Sequence, residues 1–245
     1  MSIRLTAQTA LRVLLQLRHD HRTIGLILVV PSVLLTLLRF VFDGRPDIFD
    51  QVGLLLLGIF PFASMFLITS VAMLRERTTG TLERLLSMPM HKLDLLLGYG
   101  IAFAAVAVVQ ATVAAAVAYR ALGLQSQGRI SVVLLIVVST AVLGSSTGLF
   151  TSAFARTEFQ ALQFAPSVII PQLLLCGLIW PREEMAGPLR AASNVVPLRY
   201  AAEALNEVGT YPLPTTILWL DLVIVLAFGV TLLALGAVTL RRRSG

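Results

Sequence analysis

The sequence predicts an all-α integral membrane protein. It has six transmembrane helices, an amphipathic interfacial helix before them, a short cytoplasmic helix between spans two and three, and a short external helical segment between spans five and six. Three observations lead there. The 245 residues are 57% hydrophobic and 13% charged, with a mean hydropathy of +0.86, whereas soluble domains carry about 25% charged residues. Six apolar stretches each approach the roughly 20 residues that a helix needs to cross the hydrocarbon core. The basic residues fall in short pieces between those stretches.

That last pattern also decides what the net charge of +6 and pI near 10.4 mean. Nucleic-acid binding needs a clustered basic face on a soluble fold, so no nucleic-acid partner is expected. The single cysteine, Cys176, lies in an apolar run, which leaves no disulfide framework and no paired-cysteine metal site. Neither a long linker nor a repeat divides the chain, and residues 1–245 form one domain with segments at 1–22, 75–94 and 181–215.

The first segment holds "IRLTAQTALRVLLQLRHD". Arg4, Gln8, Arg12 and Gln16 recur every four residues, while Ile3, Ala7, Leu11, Leu14 and Leu15 gather on another side. This spacing predicts an amphipathic helix lying along the cytoplasmic membrane surface. No small-x-small cleavage pattern follows the first apolar run, so it is expected to be retained rather than removed as a secretory signal.

The spans are expected at Ile24–Phe42, Val52–Leu74, Leu95–Tyr119, Ile130–Phe154, Phe159–Trp180 and Leu218–Leu240. Backbone at membrane depth must satisfy its own hydrogen bonds, which makes helices the expected form. With the N-terminus inside, twelve basic residues lie on the cytoplasmic side against seven outside, the bias that sets orientation in bilayers. Both termini are then cytoplasmic.

Between the second and third spans stands "MLRERTTGTLERLLSMPMHKLDLLLG", with four basic and three acidic residues in a chain otherwise poor in charge. Thr79 or Thr81 can cap a helix start beside a Gly80 hinge, "LERLL" favours a helix, and Pro89 stops it. Leu82, Leu85 and Leu86 share one side, while Glu83 and Arg84 point elsewhere. Glu76 and Arg77 sit at the end of the second span. A merely solvated loop would need the charge but neither the hinge nor the stop.

"ERTTGTLERLLSMP" resembles the cytoplasmic segment of bacterial ABC-2 type permeases, E-R-x-x-G-T-L-E-x-L-L-x-x-P, at Glu76, Arg77, Gly80, Thr81, Leu82, Glu83, Leu85, Leu86 and Pro89. "GPLRAASNVVPLRYAAEAL" is similar to the external segment before that family's last span, at Pro197, Leu198 and Tyr200; where the family often has a basic residue soon after, this chain has Asn206 and Glu207. The resemblance covers nearly the whole chain and is strongest to the smaller drug-resistance and antibiotic-export permeases of actinobacteria. It implies a bacterial plasma-membrane permease that pairs with itself or a sister permease and binds two cytoplasmic ABC ATPase subunits. The segment around Arg84 would be a coupling helix, and the cargo a small amphipathic drug, antibiotic or lipid-like compound moved outward.

The residues agree on the energy source. A phosphate-binding loop needs Gly-x-x-x-x-Gly-Lys followed by Ser or Thr, and the only lysine, Lys92, follows "MPMH". No cofactor is expected on this chain; ATP and Mg would sit on the partner. Charged residues within the spans are scarce, which disfavours ion-coupled carriage. The candidate cargo path instead carries Phe60, Phe62 and Phe66 in the second span and Gln163, Phe164 and Gln172 in the fifth, aromatics and amides suited to a lipophilic molecule with a few polar groups. Gly144, Gly148 and Ser152 form a small-residue ladder that admits a close neighbouring helix. An intramembrane serine protease would need a histidine near Ser145 or Ser146, but His19, His21 and His91 are all expected in the cytoplasm. An ATP-independent facilitator or a scaffold subunit is the remaining alternative.

Overall fold

The computed structural model describes residues 3–81 and 92–239, without the side chains of Lys92, Leu93 and Ala237. The described residues are helical with short connections. The helices are α1 (Ile3–His19), α2 (His21–Val41), α3 (Pro46–Thr78), α4 (Lys92–Ala116), α5 (Ile130–Thr151), α6 (Glu158–Leu175), α7 (Gly187–Ser193), α8 (Pro197–Thr210) and α9 (Thr216–Thr239). A π-helical turn, Val117–Ala121, continues α4. Five of these, α2, α3, α4 with its π turn, α5 and α9, are long and apolar enough to cross a membrane. The 18-residue α6, with three glutamines and two prolines, is not among them.

Each helix end has a local cause. Asp20 caps α2 by accepting a hydrogen bond from the Thr23 amide at 3.1 Å, satisfying one of the donors that a helix start leaves open. Pro46 occupies the first turn of α3, where its missing N–H costs nothing. Beyond α4, Gly123 turns the chain at φ +73, and Arg39 Nε donates to the Leu122 carbonyl at 3.3 Å. Thr157 caps α6, accepting from the Gln160 amide at 3.2 Å. The fifth apolar stretch was expected to stay helical to Trp180, but α6 ends at Leu175 and the chain swings away at Gly177, φ +91. The opposite difference occurs in α3. Its apolar part ends at Leu74, yet the helix continues through Arg75, Glu76 and Arg77 to Thr78. Its 33 residues measure about 50 Å at 1.5 Å per residue, well beyond a hydrocarbon core of about 30 Å.

The bundle is organised around α3 and α5, the most extensively paired helices. The glycine ladder explains their proximity: a Cβ on Gly144 or Gly148 would run into the backbone at Phe62 or Phe66. Around that pair, the largest apolar core fills the half of the molecule where α8 lies, with Leu57, Phe62, Leu198, Leu205 and Leu222 among its buried members. Gly58 makes room for Leu205, since a Cβ there would sit 2.6 Å from the leucine methyl.

A second cluster joins α1 and α4 at the opposite end of the bundle, around Val13, Met73, Tyr99 and Phe103. The side of α1 that packs on the bundle is made of small residues. Thr9, Ala10 and Val13 are the buried residues, laid over Gly98, where a Cβ would lie 2.6 Å from Thr9 Cβ. Ile3, Leu11 and Leu15 face outward, 90%, 58% and 45% exposed. The stripe is thus not the face that meets the protein.

Candidate functional site

Three consecutive charged residues end α3, and each reaches a different neighbour. Arg75 Nε donates to Glu158 Oε1 at 2.8 Å, joining α3 to the first turn of α6. Glu76 accepts an ion pair from Arg12 of α1 at 3.3 Å. Arg77 Nη1 donates to the Ser152 carbonyl at 3.3 Å, at the C-terminal end of α5. A cation there meets the unpaired carbonyls and the negative end of the helix dipole. Successive residues on a helix point about 100° apart, so a charged triplet can address three elements at once. The junction gathers α1, α3, α5 and α6 around the last turn before residues 82–91.

The three links differ in strength. Arg75 and Glu158 are 60% and 50% exposed at their side chains, and such surface pairs contribute about 0–1 kcal/mol. Arg12 and Glu76 are 29% and 11% exposed. Arg12 Nη2 also donates to the buried Tyr99 hydroxyl at 2.7 Å, with its guanidinium 5.8 Å from the ring centre. This link passes through α4 as well and is better shielded than the Arg75–Glu158 pair.

Thr79 Oγ1 donates to the Arg75 carbonyl at 2.7 Å and shares a 3.0 Å hydrogen bond with Thr81. Thr79 therefore closes α3, and Gly80 at φ +73 takes the left-handed conformation that follows many helix ends. Leu82, Glu83, Arg84, Leu85, Leu86 and Pro89 lie outside the described residues.

Beside the junction, α1, α2 and α3 enclose a groove of about 790 Å³. Its walls are apolar, with Ile27, Val30 and Leu34 from α2 facing Leu67, Ile68 and Val71 from α3. The end next to the junction is polar, bordered by Gln16, Asp20, Arg75, Glu76 and Tyr99. Asp20 sits in the turn between α1 and α2, where the Thr23 hydroxyl and then the Thr23 amide hold its carboxyl below the usual aspartate range. Ser64 forms part of the groove wall, and behind it Gln110 of α4 donates to Ser64 Oγ at 2.7 Å.

The residues expected along a cargo path are dispersed. Phe60 borders the groove. Phe62 and Phe66 are both at 0% exposure, beneath the glycine ladder of α5. Gln163 and Phe164 border a separate depression of about 460 Å³ near Phe154 and Arg156. Gln172 is buried and accepts from the Leu198 amide at 3.4 Å, closing the start of α8. In the same helix start Pro197 occupies the first turn, Leu198 is fully buried, and the Tyr200 hydroxyl donates to the Asn194 carbonyl at 2.8 Å. Arg12, Tyr99 and Gln110 were not singled out from the sequence. Gln110 had a signal, being the only amide in the apolar run of α4. Arg12 had none, because it repeats with Arg4, Gln8 and Gln16 like any solvated stripe. Among the described residues no three His, Cys, Asp or Glu side chains converge as a metal site requires.

A family model described as ABC-2 type transporter matches residues 6–208. ABC transporter G family member 20 of Dictyostelium discoideum is 30% identical over 147 residues, 60% of this chain and 20% of that protein. In Escherichia coli K12, a protein titled "Probable multidrug ABC transporter permease YbhS" is 29% identical over 144 residues, covering 58% of this chain and 38% of the relative. YbhR, under the same title, is 24% identical over 164 residues, covering 67% and 45%. The chain therefore spans less than half the length of these relatives.

Proposed function

Because the chain belongs to the ABC-2 type transporter family, we propose that it is the membrane subunit of an ATP-driven exporter in a bacterial plasma membrane. In this reading it moves a drug-, antibiotic- or lipid-like amphiphile outward. Two cytoplasmic ATPase subunits carry ATP and Mg, and a second permease, identical or a sister, completes the assembly. Relatives titled multidrug permeases support a lipophilic cargo.

Six crossings follow if the 18-residue α6 spans as well. Both termini are then cytoplasmic, α1 lies on the inner surface, and residues 181–215 form an outer lid. The exposed apolar side of α1, with Ile3, Leu11 and Leu15, supports contact with lipid headgroups.

The observation that carries the reading is the junction at Arg75, Glu76 and Arg77. A helix pressed by an ATPase does work only if its displacement reaches the spans. The last turn of α3, at Arg75, Glu76 and Arg77, is tied to α1, α5 and α6, so a rigid shift there would tilt several helices together. Leu82, Leu85 and Leu86 supply apolar anchors for an ATPase groove, and Glu83 and Arg84 fix register. Phe60, Gln163 and Phe164 face the cargo, while Phe62, Phe66 and Gln172 hold the wall in shape.

The test is Glu83→Arg combined with Leu85→Asp. The variant is expected to insert normally but to lose its ATPase on co-purification and to stimulate no ATP hydrolysis. Unchanged ATPase retention and activity would overturn the coupling role. Uphill transport by the isolated permease in vesicles would overturn ATP dependence altogether.

A further inference from the structure

We propose that Arg199 is a two-position tie, exchanging its guanidinium between Asn194 and Glu203, where it lies in this structure, and the buried carboxyl of Asp221 on α9. Its use as a latch of the outer lid rests on the exporter reading, but the exchange itself needs neither cargo nor ATPase.

Two buried atoms of opposite charge stand open on facing helices. Asp221, near the start of α9, is 4% exposed. Its Oδ2 has no hydrogen-bond partner, and no ion pair among the described residues includes it. The charged groups that act on it are Glu203, Arg199 and Glu207, all on α8. Residues 178–230 are described without a gap, so no charge on α8, α9 or their connections is left out. Glu207 is occupied, since Thr215 Oγ1 donates to its Oε2 at 2.5 Å. Glu203 is occupied by Arg199 Nη2 at 3.0 Å. Arg199 Nε, on that same guanidinium, is buried and also without a partner. A buried acceptor and a buried charged donor left open are each costly. These two satisfy one another if the guanidinium turns from α8 towards α9.

The turn changes what α8 is fastened to. At present Arg199 Nη1 donates to Asn194 Oδ1 at 2.6 Å, tying α8 to the segment before it. Arg182 Nη2 donates to the same oxygen at 2.5 Å, and its Nε donates to Ser193 Oγ at 2.9 Å. Asn194 therefore keeps a donor when Arg199 leaves. On Asp221 the same side chain would join α8 to α9 instead. Leu198, Ala201, Leu205 and Val208 hold the apolar side of α8 in the core in either position. The exchange thus moves one tie from residues 182–194 to α9, loosening the first as it fastens the second.

The experiment reads amide hydrogen exchange in the full-length chain in phosphatidylcholine nanodiscs. Glu203→Gln keeps the side-chain shape but weakens the present position. Residues 187–194 are expected to exchange about tenfold faster and residues 200–206 about tenfold slower, the factor one hydrogen bond between charged groups supports. Adding Asp221→Asn, also shape-conserving, should cancel the slowing at 200–206. Asp221→Asn alone leaves Arg199 on Asn194 and should accelerate neither segment. A merely structural cluster would respond to Glu203→Gln with faster exchange in both segments, and that result overturns the tie. Slowing that survives Asp221→Asn overturns Asp221 as the second position. No change in either segment, the outcome of a fixed contact bridged by water, overturns the exchange. None of these results bears on ATPase coupling, which the Glu83 and Leu85 variant tests separately.

Discussion

Removing the Arg12–Glu76 pair should loosen α1 locally without detaching it from the bundle. The two charges are 3.3 Å apart, which corresponds to about 5 kcal/mol of attraction at an effective dielectric near 20. Desolvation offsets part of this, and one side chain is 29% exposed. A coupling of about 2 kcal/mol lies between the values for exposed pairs and for fully buried ones. The cycle is Arg12→Met, Glu76→Gln and the double variant, each followed by amide hydrogen exchange over residues 3–19. Apolar burial at Ala10 and Val13 still holds α1 in place, so the expected signature is local. Each single change speeds exchange in α1 by about thirtyfold, the factor for about 2 kcal/mol, and the double change adds little more. Additive effects, or exchange in α1 that ignores both substitutions, would refute a connection between α1 and the end of α3.

Other expectations follow from single positions. Gly148→Leu would drive a side chain into the α3 backbone at Phe66; overpacking costs about 1–3 kcal/mol or more, and the purified variant should melt earlier or elute as aggregate. Gly80→Val places a β-branched residue at φ +73, a strain of about 1–2 kcal/mol, which should weaken ATPase retention while leaving insertion intact. Asp20 has its carboxyl held below the usual aspartate range by Thr23. The stabilisation from this cap is therefore present above the unfolded aspartate pKa and is lost as pH falls through the lowered folded value. Exchange in the first turn of α2 should rise only in strongly acid solution, and Asp20→Asn should make it insensitive to pH there.

The long helices were legible because hydropathy records the membrane directly. Which side of each helix meets protein was much less so. In water an apolar stripe marks the buried face, but in lipid both faces are apolar, so Phe62 at 0% exposure and Phe159 at 70% look alike in sequence. Nor did the sequence say which residues of α1 would meet the bundle: the leucine stripe faces outward while small residues face Gly98. The end of α6 escaped notice because "CGLIW" stays apolar although the helix has already ended at Leu175, with Gly177 in the left-handed region. The glycine ladder and the Gly80 turn were readable, since each depends on the absence of a side chain. The Arg12–Glu76 pair was not, because nothing local to either residue records a partner on a distant helix.

The glycine contacts between α3 and α5 leave no soft layer between two backbones, and so the pair behaves mechanically as one beam. By contrast α2 buries only Ile27, Pro31 and Leu35 and carries a proline in mid-course. On the proposed exporter reading, a load entering at the base of the beam would be passed along it, and the loosely seated plank alongside would be the part that yields.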